Sequence, residues 1–187
     1  MSSQHIDTSA RLGLRLQTER PGNLIDLPVE HLEIHEGNSY IASTAFSLAG
    51  AASGSVVIQT PDSDTWAHMI FEINAEGASE ARIYETVATT GAGTSMPCIN
   101  RQRNSSNTSV LTVAHTPTAY SVVGSTLIVD KRAGSGGPYT AASTSIQSRG
   151  EIVLKRNTTY LVLVINNDAS PRYINVLLDW YERAFEQ

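Results

Sequence analysis

Apolar and polar positions alternate along most of this chain, and the alternation begins only after a polar leader dotted with leucines. Residues 66–73, Trp-Ala-His-Met-Ile-Phe-Glu-Ile, are the clearest case. A period of two puts Ala67, Met69, Phe71 and Ile73 on one face and Trp66, His68, Ile70 and Glu72 on the other, the pattern of a half-buried strand. The same reading predicts strands over 31–36, 40–48, 55–60, 81–88, 110–115, 126–131, 151–154, 159–166 and 173–182. Turn formers separate them, among them Gly37-Asn38-Ser39, Pro61-Asp62-Ser63-Asp64 and the run from Asn166 to Pro171. Residues 96–109 read as a polar loop with one short strand, and 133–147 as a Gly/Ser/Thr-rich loop. About nine or ten short strands without a βαβ rhythm predict an all-β antiparallel sandwich and exclude a parallel-sheet nucleotide fold.

The leader, residues 1–28, reads as an extended N-terminal arm, and 29–187 as the sandwich domain. Leu12, Leu14 and Leu16 alternate, and Leu24, Ile25 and Leu27 follow the turn signal Glu19-Arg20-Pro21-Gly22-Asn23. Two readings stand side by side, a disordered terminus and an arm ordered only on a partner; on the second, these six side chains, apolar for a mere solvated tail, are the expected partner-binding residues. Two late strands are apolar on both faces. Tyr160, Val162 and Val164 oppose Leu161, Leu163 and Ile165, and residues 173–181 read the same way, with Ile174, Val176, Leu178 and Trp180 on one side. A strand apolar on both faces is covered on both, by loops or by another molecule. Trp66, Ile70, Tyr173 and Tyr181 are therefore the expected contacts with a second copy or a larger assembly.

The 187 residues carry 13 basic and 18 acidic side chains, a formal charge of −5. Nucleic-acid binders need clustered cations to displace counterions, and Arg101, Arg103, Lys131 and Arg132 occur only as scattered pairs, so no nucleic-acid partner is expected. The single cysteine, Cys98, rules out an intrachain disulfide. No segment reads as a signal peptide or approaches the ~18 apolar residues of a membrane span, so synthesis in a cytoplasm with no membrane partner is expected.

Candidate chemistry is sparse. On the expected strand, His31, Glu33 and His35 share a face, but His31 and His35 stand about 13 Å apart at ~3.3 Å per residue, too far to share an ion. A polar strand face is the better account. Cys98, between Pro97 and Ile99, has no activating neighbour and reads as an inert thiol. Asp62 and Asp64 lack the rest of a calcium loop and read as turn formers. Neither a nucleophile elbow nor a phosphate cradle occurs, and no pair of carboxylates stands out for a sandwich hydrolase. Trp66, Tyr84, Tyr120, Tyr139, Tyr173, Trp180 and Tyr181 are available to stack on sugars, though core and interface roles are the expectation. No cofactor or metal is expected.

Several blocks carry a resemblance. Ile34-His35-Glu36-Gly37-Asn38-Ser39-Tyr40, the run from Thr60 to Met69, the run from Asn100 to Ser109, and Leu154-Lys155-Arg156-Asn157-Thr158-Thr159-Tyr160 resemble small structural proteins of tailed bacteriophages, the capsid decoration or cement proteins. The resemblance covers roughly residues 30–182 and leaves the arm outside. It implies a jelly-roll body and a non-enzymatic virion protein on the outer capsid surface, made in the host bacterial cytoplasm. It also implies binding to the major capsid protein and to itself, as a homodimer or homotrimer. The other functional readings are a phage head-fibre, receptor-binding or carbohydrate-binding module, and, third, a β-sandwich hydrolase.

Overall fold

The computed structural model describes residues 16–17, 25–26, 28–91, 93–133, 144–147 and 150–184, with side chains over 28–91, 93–132 and 150–184. Two strands of the leader, β1 (Leu16–Gln17) and β2 (Ile25–Asp26), pair antiparallel with each other. Leu12, Leu14, Leu24 and Leu27 lie outside the described residues, as do the side chains of Leu16 and Ile25.

The helix α1 (Val29–Glu36) comes next, where alternation of Leu32 and Ile34 predicts a strand. Capping overrides the alternation. Pro28 stands at the N-cap, Glu30 complements the helix dipole in the first turn, and Gly37 ends the helix in the left-handed region at φ 78°. The Asn38 N–H reaches back to the Glu33 carbonyl, as in a Schellman motif.

The body contains β3 (Ser39–Leu48), β4 (Ser53–Gln59), β5 (Thr65–Ala75) and β6 (Ser79–Glu85). An insertion follows with β7 (Ala88–Thr90), β8 (Thr94–Ser95), β9 (Ile99–Asn100), β10 (Thr112–His115) and β11 (Ala119–Ser121). The chain ends with β12 (Thr126–Ala133), β13 (Thr144–Gln147), β14 (Ile152–Val153), β15 (Thr159–Asn166) and β16 (Arg172–Ala184). The strand β13 falls in a stretch read from sequence as loop. Thr-Ser-Ile-Gln is too short to show a period, and its pairing with residues 72–75 of β5 defines it.

One sheet runs β13-β5-β16-β3-β9, with β14 also on β5, and the other runs β12-β6-β15-β4-β10-β8. Set the insertion aside and count β13 with β14 as one strand. In chain order, the first sheet then reads 1-8-3-6 and the second 2-7-4-5. That is the strand order of a jelly roll, two Greek keys rolled into a sandwich. The fold is an all-β antiparallel sandwich of this type.

The core follows the alternation. Ala67, Met69, Phe71 and Ile73 of β5, Ile174, Val176, Leu178 and Trp180 of β16, and Tyr160, Val162 and Val164 of β15 are buried between the sheets. Gly54 of β4 makes room for Phe46, whose ring carbon would lie 2.7 Å from a Cβ there. The outward Leu161 and Leu163 of β15 are also buried, with Val57 and Val87, and Tyr84, Val122 and Ile165 pack on them. The insertion, through Val87 and Val122, therefore supplies the second cover. The outward side of β16 does not follow the doubly apolar reading: Tyr173, Asn175, Leu177, Asp179, Tyr181 and Arg183 make a mixed face, none of them fully buried.

Asn166, fully buried at the end of β15, ties the β3–β4 turn to the β15–β16 turn at one end of the sandwich. Its amide nitrogen donates to the carbonyls of Leu48 (3.0 Å), Ala49 (3.0 Å) and Ser170 (2.9 Å), and its oxygen accepts from the Asp168 N–H. Asn166→Leu leaves these carbonyls unpaired and is expected to cost about 1–3 kcal/mol, read from urea unfolding. Leu178→Ala, at a site with no exposure, is expected to cost about 2–5 kcal/mol by the same measurement.

Candidate interaction surfaces

The outward face of the first sheet holds all four body residues expected as contacts. Trp66 and Ile70 point outward from β5, half-buried. Tyr181 sits opposite His68, between them, and stacks on its ring at 4.6 Å and 13°. The His68 Nδ1 is bonded to Glu151, whose other oxygen accepts from the Tyr181 hydroxyl at 3.0 Å. This trio joins β5, β16 and the approach to β14. Burial is the main reason the Tyr181 hydroxyl is pushed well above its ordinary range, with the Glu151 hydrogen bond and charge adding to it. Tyr173, 55% exposed, lies eight residues along β16, about 27 Å from Tyr181, and belongs to a different patch. The structure thus brings Trp66, Ile70 and Tyr181 together and leaves Tyr173 apart.

Beside Trp66, a hollow of about 510 Å³ is lined by Trp66, Val153, Leu154, Lys155, Arg156 and Thr158. Arg156 reaches Asp64 (3.2 Å) and Asp62 (3.6 Å), the two aspartates of the Pro61 turn. Trp180, by contrast, is buried and has no face for a sugar.

A second surface surrounds the turn from Val122 to Ser125. Both the N–H and the hydroxyl of Ser125 bond to the Val122 carbonyl, and Gly124 takes φ 81°. Val122 faces the buried cluster while Val123, at the tip, is 90% exposed. Tyr120, Leu127 and Ile128 flank it, all exposed. Ile128 sits at a register shift between β12 and β6, a bulge that re-aims side chains at a sheet edge. These apolar side chains stand at or beside a hydrogen-bonded turn and lie outside the core. Sequence reasoning passed over it because Val122 and Val123 fall outside the alternating runs.

A third feature is a polar cleft of about 640 Å³ between α1, the loop 106–110 and the end of β16, lined in part by Glu33, Glu36, Asn38 and Glu182. Its carboxylates have partners. Glu182 accepts from the Trp180 indole (2.9 Å), the Val110 N–H (3.0 Å) and the Ser109 hydroxyl. Glu33 accepts from Asn38 at 3.1 Å, with Arg183 at 3.9 Å. The arrangement fastens the insertion and α1 to β16. Nearby, Arg101 bridges Glu30 (3.1 Å) and Asp179 (3.2 Å). Burial raises the Asp179 carboxyl despite the opposing guanidinium.

Cys98 is half-buried against the core. Burial pushes its thiol up, away from the reactive thiolate, against a hydrogen bond with Ser109. Among the described residues no three or more His, Cys, Asp or Glu side chains group for a metal, and no helix is long and apolar enough to cross a membrane. No protein-family model matches the chain, and no curated protein or solved structure matches it either.

One titratable network has a defined sign. Lys155 Nζ (2.6 Å) and the Tyr160 hydroxyl (2.9 Å) donate to Glu85. The Lys155 bond is the main cause holding the Glu85 carboxyl below its ordinary range, against the opposing effect of burial. A depressed folded-state value adds stability above the unfolded pKa and loses it as pH falls through the folded one. Glu85→Gln is therefore expected to lower stability at pH 7 and to flatten the loss below about pH 4, followed by urea midpoints across pH.

Proposed function

We propose that this protein is a non-enzymatic virion component that binds the outer surface of a tailed-phage capsid and stabilises the mature shell by bridging major capsid protein subunits. The observation that carries the reading is the turn at Val123. Apolar side chains stand outward on a hydrogen-bonded turn at the rim of a jelly-roll sandwich, a layout for gripping another surface. The likeness of four sequence blocks to capsid decoration proteins supplies the identity of that surface. The leucine-rich leader is a second grip, and self-association is part of the same reading.

The mechanism is physical. A protein that binds the expanded shell better than its precursor stabilises the expanded state by linkage. Many copies, each touching more than one subunit, multiply weak contacts into a firm lattice. Co-sedimentation with expanded and precursor heads of the encoding phage tests it. Preferential binding to expanded heads is expected, and failure to associate with either form would falsify the proposal. Val123→Asp together with Leu127→Asp is expected to weaken binding at least tenfold with an unchanged thermal midpoint, since both sites are exposed. Removal of residues 1–27 is expected to leave a folded body that binds more weakly.

The hollow beside Trp66 favours a second reading, a glycan-binding module, because an indole flanked by Lys155 and Arg156 suits a sugar face and its hydroxyls. Glycan-array binding lost in Trp66→Ala is its expected signature, and a blank array removes it.

A further inference from the structure

The pair His31 and His35 changes meaning with the element that carries it. On a strand the two are too far apart to share an ion. In α1 they lie one turn apart on the same helix face. Both are exposed, their ring centroids stand 5.4 Å apart, and the ring planes meet at 65°.

That spacing can be compared with coordination geometry. An imidazole bound through nitrogen to Zn²⁺ at about 2.0–2.1 Å has its ring centroid about 3.2 Å from the ion. Two such rings at the tetrahedral angle therefore stand about 5.2 Å apart. Neighbouring positions of an octahedral or square-planar site would draw the centroids to about 4.5 Å. The observed separation fits the tetrahedral ion. The local field also suits a cation: Glu30, Glu33 and Glu36 share the same two turns. The facing guanidinium groups, Arg101 and Arg183, are paired to Glu30 with Asp179 and to Glu33.

We propose that His31 and His35 form a two-histidine clamp for a divalent transition-metal ion, with Zn²⁺ best matched, whose two remaining positions are open to water or to a donor from another molecule. Both ligands come from one face of one short helix, so the bound ion cross-links its two turns. Such a helix is marginal by itself and gains from any ligand that binds only its folded form. The clamp is independent of the shell-binding reading.

Calorimetric titration of the untagged full-length chain with zinc chloride tests it. One ion per chain is expected. His31→Ala and His35→Ala, both surface changes, are each expected to weaken binding at least tenfold and to leave the metal-free thermal midpoint unchanged. Added zinc is expected to raise that midpoint in the parent chain and in neither variant. A parent chain that binds no zinc would overturn the proposal. So would undiminished affinity in both variants, which would place the ion on His5, His68 or His115.

Discussion

The sandwich closes on its last two strands, which lie in different sheets. The strands β15 and β16 each take an inner place in one sheet, β15 between β4 and β6 and β16 between β3 and β5. Without them the earlier strands have no common neighbour, and the inward rows of β3, β4, β5 and β6 have nothing to pack against at the centre. Most of the contacts that define this fold therefore join residues far apart in sequence, the arrangement in which loops must close before the contacts form and which slows folding. Asn166 stands at the turn between the last two strands, and its bonds to Leu48, Ala49 and Ser170 lock the β3–β4 turn to the β15–β16 turn.

The insertion between β6 and β12 completes what the eight strands leave open. It lays β10 and β8 along the edge at β4, and β9 along the edge at β3. It also covers the outer side of β15 with Val87 and Val122. Open sheet edges template unwanted pairing, so this wrapping protects the body as well as stabilising it. Glu182, through Ser109 and Val110, and Arg101, through Glu30 and Asp179, pin the middle of the wrapping in place, and Asn100 and Asn107 hold the insertion to the Gly37 carbonyl at the end of α1. After this covering, Val123 and its neighbours, Tyr173, and the group around Trp66 still reach the surface.

The proposed binding role rests on how these groups are distributed. The carboxylates gathered in the cleft spend their oxygens on backbone and side-chain donors that fasten one part of the chain to another. The His68 ring is held between Glu151 and Tyr181. The exposed large apolar and aromatic side chains include Val123, Leu127, Tyr120 and Tyr173, and α1 adds two exposed imidazoles.

Much of the body was legible in the sequence because a half-buried strand writes its geometry into every second residue. The inward rows of β5, β15 and β16 and the turn at Asn166 follow from alternation and turn chemistry alone. The same rule misled at residues 31–36, where two apolar residues two apart fit a strand and the Gly37 cap decides for a helix. It gave no warning of β13, of the Val123 surface or of the Glu182 and Asn166 networks, because these depend on what lies across a sheet or turn from each residue. Sequence by itself determined which side chains face the core. Strand order and the source of cover for β15 were decided only by tertiary structure, while the meeting of His31 with His35 follows from the helix that the caps at Pro28 and Gly37 set. Periodicity is local to each strand, whereas pairing partners are set by chain segments that no local pattern records.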